Sequence, residues 1–243
     1  LLSLGWVLGA SIFVVLGHRR GLENRTLVDL LLGAAVGGLI LGRAGYVGVH
    51  GDYYVQHRHL GEALRLWRGG LLWQGALMGA IGGAAGVCAV RAVRLLPVLD
   101  LLAPHGAVLG AFAWLACLAV GCAWGVETYP GQRLLWSLSM DLPDLYGIRQ
   151  PRIAVQLIGA LWSGITLGVV LLLQTRLRRD GALFATWLII QGFGALGLGF
   201  LRGDPMALVA GWRVGQLANG ALSVVGALLL GVRQVAARGE RRH

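Results

Sequence analysis

Lysine is absent from this chain of 243 residues, and acidic residues number only 11. All 21 basic residues are therefore arginine, and the formal net charge is +10. The missing lysine is read as coding bias and carries no mechanism. Charge of either sign is scarce. Only 13% of residues are charged against 56% hydrophobic, with a mean hydropathy of +0.70, which excludes an ordinary soluble domain. Three cysteines, Cys88, Cys117 and Cys122, fall in apolar stretches at spacings that match no zinc or redox motif. They suggest no disulfide framework and read as small packing residues. No stretch resembles a linker or a soluble domain, so residues 1–243 are read as one integral membrane domain.

Apolar runs long enough to cross a bilayer are abundant. Seven are expected, at about 1–17, 27–49, 70–90, 101–125, 153–174, 182–201 and 208–232. The fold class is thus all-α: a polytopic membrane protein whose seven helices form a compact, glycine-rich bundle. Two longer outer loops, 50–69 and 127–152, can carry structure outside the hydrocarbon. The first run is expected to be a retained span with a slightly trimmed N-terminus. No basic segment precedes it and no small-residue cleavage site follows, whereas His18-Arg19-Arg20 looks like a cytoplasmic stop.

A charge of +10 invites a nucleic-acid reading, but its distribution argues for a membrane instead. With the N-terminus outside, the inside segments 18–26, 91–99, 175–181 and the tail from Arg233 hold three, two, three and four arginines. The outside segments, with Arg213 at the mouth of the last span, hold eight across much more chain. That is the positive-inside bias. It implies a multi-pass membrane protein with an outside N-terminus and a cytoplasmic C-terminus. The basic tail, Arg233 to Arg242, suits anionic headgroups.

Glycines recur every fourth residue at Gly75, Gly79 and Gly83, and helix two carries Gly33, Gly37, Gly38, Gly42 and Gly45. Helix four has the ridge Ala113, Cys117, Gly121, Gly125, and helix six has Ala195 and Gly199. Residues four apart share a helix face. Small residues there let backbones approach closely, which in lipid replaces the missing hydrophobic drive.

Few ionisable residues stand in or beside the spans. Asp29 and Asp100 open helices two and four and read as N-terminal caps; His105 reads as a packed histidine. His50, His57 and His59 cluster outside. Tyr53, Tyr54, Trp67, Trp73 and Trp136 read as an outer aromatic belt. Arg43 lies well inside helix two, where a guanidinium costs several kcal/mol unless paired or hydrated. A polar cavity opening outward accounts for it. On that reading the outward side collects Arg43, His50, Gln74, Arg152 and Arg202, a set suited to an anionic lipid headgroup whose phosphate arginine grips bidentately.

Eight short pieces then carry a resemblance over nearly the whole chain. They are Gly42-Arg43-Ala44-Gly45-Tyr46-Val47; Gly69-Gly70-Leu71 through Gly75 and Gly79; Asp100 with Ala103-Pro104; and Gly121-Cys122-Ala123-Trp124-Gly125. After these come Arg152 with Gln156-Leu157; Gly181-Ala182-Leu183-Phe184; Phe200-Leu201-Arg202-Gly203-Asp204; and Gly215-Gln216. In this order and spacing the chain resembles the prolipoprotein diacylglyceryl transferase family. The resemblance implies an enzyme that moves diacylglyceryl from phosphatidylglycerol to the lipobox cysteine thiol of a prelipoprotein, with no metal or organic cofactor. Its partners are phosphatidylglycerol or another anionic phospholipid, prelipoprotein signal peptides and the membrane, not nucleic acid. Arg43, Gly70, Gly75, Arg152 and Arg202 are the implied phospholipid-binding residues. His50 and Gln74 are the candidate catalytic ones.

The chain departs from the family's pattern at polar positions. Gln74 stands where the resemblance places histidine, and an amide cannot take a thiol proton as imidazole can. By spacing, an arginine falls on Trp114, asparagines on Cys117 and Val120, and an acidic residue on Cys122. A tyrosine and a glutamate fall on Ile158 and Gly159, and an arginine and a glutamate on Ala195 and Gly199. Joint loss of an ion pair at Ala195 and Gly199 would cost the fold little. The alternative reading is a catalytically inactive relative that binds anionic lipid or a partner. A transporter finds no inverted repeat to support it.

Overall fold

The computed structural model describes residues 1–56, 60–66, 69–144, 146–177 and 179–240. His57, His59, Trp67 and Arg68 lie outside them, as does the end of the basic tail. Among the described residues, seven helices are long and apolar enough to cross a membrane. They are α1 (Leu2–Arg19), α2 (Asn24–Val49), α4 (Trp73–Arg91), α5 (Leu95–Val120), α7 (Val155–Leu173), α8 (Ala182–Leu201) and α9 (Val214–Glu240). The outer loops hold the short helices α3 (Gly51–Gln56) and α6 (Arg133–Ser137), and a hairpin of β1 (Ser139–Pro143) with β2 (Arg149–Ile153). The polytopic helical architecture expected from the sequence is the one observed.

Three expected boundaries are wrong, because apolar composition does not reveal where backbone direction changes: the fourth span begins at Leu95 and not at 101, and two further ends move. The last span does not begin at 208. A second hairpin, β3 (Leu208–Val209) with β4 (Trp212–Arg213), closes there through Ala210 at φ 50° and Gly211 at φ 81°, and α9 starts only at Val214. Two successive positive φ angles make a tight hairpin turn. The fourth span stops at Val120 instead of 125. Gly121, at φ 73°, turns the chain back so that Cys122 N–H donates to the Cys117 carbonyl at 2.9 Å.

That stop overturns the reading of two cysteines. In a continuing helix, residues five apart rise by roughly 7.5 Å, too far to bridge. The turn brings the Cα atoms of Cys117 and Cys122 to 4.7 Å, and the two are disulfide-bonded. Cys88 remains a buried free thiol.

The chain forms two compact units, Val14–Leu99 and Leu1–Phe13 with Asp100–His243. In the first, the contact between α2 and α4 is made by small residues, although Leu27, Leu30 and Leu31 of α2 are also buried. Val28, Leu32, Val36, Leu39 and Ile40 point outward, while Ala34, Gly38 and Gly42 are buried. Hydrocarbon solvates large side chains as well as a core does, so small residues take the contact. A methyl carbon added at Gly79 would overlap the Gly37 carbonyl oxygen, and one at Gly83 would overlap that of Gly33. The expected glycine ridge therefore meets the glycines of helix two, backbone on backbone. Gly79→Ala is expected to lower the melting temperature in detergent by about 3–10 °C, from an overpacking cost of ~1–3 kcal/mol. Gly82 on the same helix faces open space. Gly82→Ala should leave the melt unchanged; equal losses at both positions would refute the ridge.

In the second unit glycines receive rings instead. Trp114 of α5 lies where a side chain on Gly159 of α7 would stand, and Trp162 covers Gly194 of α8 while donating from Nε1 to the Ile190 carbonyl at 3.0 Å. Asp100 does not cap its own helix. It is buried in α5, and its carboxylate accepts the backbone N–H groups of Gly181 (2.8 Å) and Phe184 (2.9 Å), capping α8. Asp29 is not a cap either: it pairs with Arg91 of α4.

Candidate active site

In the unit Val14–Leu99, the site is built around one buried arginine. Arg43 extends from α2 toward the following loop, and every N–H of its guanidinium meets a backbone carbonyl. Nε donates to Ala63 (2.7 Å), Nη1 to Gly69 (2.5 Å) and Gly70 (2.9 Å), and Nη2 to Glu62 (3.0 Å) and Arg65 (3.3 Å). The rings of Tyr46 and Tyr54 lie 5.8 and 5.7 Å from its central carbon, a cation–π cradle. Tyr54 thus leaves the expected aromatic belt and turns inward; Tyr53 and Trp136 stay exposed.

Gly69 and Gly70 adopt φ 77° and 80°, a region that a bulkier residue enters only with strain. At Gly70 the Tyr46 ring occupies the space of a side chain, with its nearest carbon 2.5 Å from the Cβ position. Leu72 N–H donates to the Gly42 carbonyl at 2.9 Å, and Gly75 abuts the Leu41 backbone. Two of the sequence pieces, 42–47 and 69–75, are therefore the halves of one clasp. Gly70 and Gly75 are filled from within the protein, and Arg43 is employed on the loop.

His50 ends α2. Its ring stacks on Tyr46 at 4.3 Å, and Nδ1 lies 3.0 Å from the Tyr46 carbonyl. A carbonyl only accepts, so Nδ1 is the donor in this contact and Nε2 is the second ring nitrogen. Gln74 is buried in the first turn of α4.

In the other unit, residues 124–128 form a short platform with a chain segment on each edge. On one side Val126 N–H donates to Leu201 and Gly203 N–H to Trp124, both at 2.9 Å, and Gly125 pairs with Arg202. On the other side Ile153 N–H donates to Val126 and Thr128 N–H to Pro151, and Glu127 pairs with Arg152. Ile153, Val155 and Leu198, fully or almost fully buried, form the apolar floor with Trp114 packed against it.

The platform thereby brings Arg152 and Arg202 to its two edges. Arg202 binds Asp204 through Nε (2.8 Å) and Nη2 (2.6 Å), while Arg213 donates to the Arg202 and Asp204 carbonyls. Arg152, 6% exposed, holds Glu127 at 2.8 Å and Asp144 at 3.4 Å through Nη2. Its buried Nε makes no hydrogen bond among the described residues. Four residues on, Gln156 donates from Nε2 to the Cys122 carbonyl at 2.8 Å, and its buried Oε1 is likewise unmatched. A buried polar atom without a partner costs ~1–3 kcal/mol.

The sequence reading set Arg43, His50 and Gln74 beside Arg152 and Arg202. The structure assigns the first three to one unit and the last two to the other. Glu127, Asp144 and Arg213 have no site role on the sequence reading. Arg213 could have been found, because an arginine inside the supposed seventh span marks a boundary that hydropathy overran.

A family model described as prolipoprotein diacylglyceryl transferase matches residues 1–232. The phosphatidylglycerol–prolipoprotein diacylglyceryl transferase of Bacillus velezensis is 29% identical over 254 residues, spanning 100% of this chain and 89% of its own length. The protein of that name from Geobacillus kaustophilus is 30% identical over 227 residues, 89% of this chain and 80% of its own. The one from Beijerinckia indica is 30% identical over 243 residues, 94% and 84%.

Proposed function

Because the chain belongs to the prolipoprotein diacylglyceryl transferase family, we propose that it moves diacylglyceryl from phosphatidylglycerol to the lipobox cysteine thiol of a prelipoprotein. The carbon–sulfur bond forms as the bond from the same carbon to the phosphate oxygen breaks. Glycerol phosphate leaves with the electron pair, and the thiol proton passes to a base. Such a step needs a thiolate and cations at the departing phosphate.

The observation that carries the reading is the platform. Arg152 is buried, already neutralises two carboxylates, and its buried Nε donor beside the first turn of α7 has no partner among the described residues. A phosphate oxygen is what such a donor takes. Arg202 is the second phosphate residue of this unit. In the unit Val14–Leu99, taken by itself, His50 is the candidate base, Gln74 the candidate hydrogen-bonding amide, and Arg43 the residue that holds that unit's loop.

The non-catalytic reading rests on the polar positions this chain lacks, and packing accounts for several of them. Trp114 rests on Gly159, Cys117 is joined to Cys122, and Gly199 takes the side chain of Gln216. The transferase reading is favoured. The arginine bias and the disulfide, which persists on oxidising faces, both support an outside N-terminus and a cytoplasmic C-terminus in the plasma membrane.

The test is mass labelling of a lipobox peptide incubated with phosphatidylglycerol. A diacylglyceryl adduct is expected, and its absence at every pH between about 6 and 9 would overturn the reading. His50→Ala should reduce kcat by ~10²-fold or more. Full activity in that variant would remove His50 from the base role while leaving the transferase assignment standing.

A further inference from the structure

We infer that the Cys117–Cys122 disulfide is a positioning device for the phosphate-binding platform, a role that rests on the transferase reading of that platform. The bridge sits where sequence and structure disagree. Residues 121–125 are apolar enough to prolong α5 by more than a turn, yet the helix ends at Val120. Gly121 and Ala123 both take left-handed conformations, φ 73° and 53°. The second is unfavourable for a residue with a side chain and persists only where its surroundings over-determine it. The bridge supplies that constraint by tying the residue between them to the last turn of the helix.

What hangs from the turn is the site itself. The Cys122 carbonyl accepts the Gln156 amide at 2.8 Å, four residues beyond Arg152. Trp124 and Val126 follow at once and make the bonds that place Arg202, and Val126 also receives Ile153, next to Arg152. Opening the bridge removes the covalent stop on α5. The turn is then free to wind toward helix, withdrawing the Cys122 carbonyl from Gln156 and the platform from its two edges. Both phosphate arginines lose their shared reference. A dithiol accomplishes this in a balanced step: the S–S bond breaks, two hydrogens pass to Cys117 and Cys122, and the reductant becomes its own disulfide. Cys88 stands apart as a buried free thiol and takes no part.

The experiment uses the full chain in detergent with phosphatidylglycerol and a lipobox peptide. Of its three cysteines, one should react with iodoacetamide after denaturation without reductant, and all three after dithiothreitol. Reduction should raise the KM for phosphatidylglycerol about fivefold or more and lower kcat with it, and oxidised glutathione should restore both. The double variant Cys117→Ser, Cys122→Ser should show the raised KM and ignore reductant. A bridge that only stabilises the fold would lower the melting temperature and leave KM unmoved. Three reactive thiols before reduction, or an unchanged KM after it, would overturn the inference. A protein that forms no adduct in either state overturns the transferase reading and the positioning role with it, while the alkylation count still decides the bridge.

Discussion

Replacing Arg43 by methionine is expected to release the loop between α3 and α4 and abolish measurable transfer. The guanidinium satisfies five carbonyls, those of Glu62, Ala63, Arg65, Gly69 and Gly70. Methionine keeps much of the stem's volume but donates nothing. The two glycines, held in left-handed conformations, then lose the partner that fixes them. Breaking a buried charged cluster costs about 3–5 kcal/mol, or roughly a hundred- to a few thousandfold in the docked population of the loop. Arg43→Lys should rescue little, because an ammonium has three donors on a point charge and cannot fork to carbonyls on both flanks. Limited proteolysis provides the readout. Cleavage should appear within 60–70 in both variants, with the α2–α4 glycine contact intact. If Arg43→Lys resists protease like the wild type, charge alone is what the loop requires and the fork argument fails.

Arg152→Gln is expected to lower kcat/KM for the peptide by ~10²–10³-fold, the loss seen when one preorganised donor to developing charge is removed. The structural cost is smaller and separable. Glu127 is about half exposed and can turn to water, while Asp144 is mostly buried and loses its cation. A modest fall in melting temperature should therefore accompany a large fall in rate. Arg152→Lys should be intermediate, since it keeps the charge but cannot bind phosphate and carboxylate together. Single-turnover labelling of the lipobox peptide separates the two effects, because it counts only folded, lipid-loaded enzyme. An Arg152→Gln protein within threefold of the wild type, at saturating lipid, would take Arg152 out of the phosphate site.

The eight pieces that carry the family resemblance are legible one by one, but the sequence presents them as a line of independent signals. In three dimensions they pair. Residues 42–47 close on 69–75, Asp100 caps 181–184, and 121–125 hold 152–156 on one edge and 200–204 on the other. Gln216 accepts from Arg213 and fills the space at Gly199. Most of these partners stand tens of residues apart, and one chain without its relatives carries no record of who meets whom. Polar residues suffer most from this. Arg43 looked like a cation open to ligand, and Asp100 like a local cap, because residue type and depth were visible while the partner was not.

Membrane character, seven helices and the glycine ridge of α4 follow from local rules that a single chain obeys residue by residue. Crossing hydrocarbon takes about 20 apolar residues, each helix satisfies its own backbone, and residues four apart share a face. Helix ends and the employment of charge obey no such local rule. Whether α5 stops at Val120, whether Cys117 reaches Cys122 and whether Arg152 keeps a free donor depend on turns and on segments far away in the chain. Those contacts exist only once the backbone has folded back on itself, and it is they that turn a row of apolar spans into a place where a phosphate can be held.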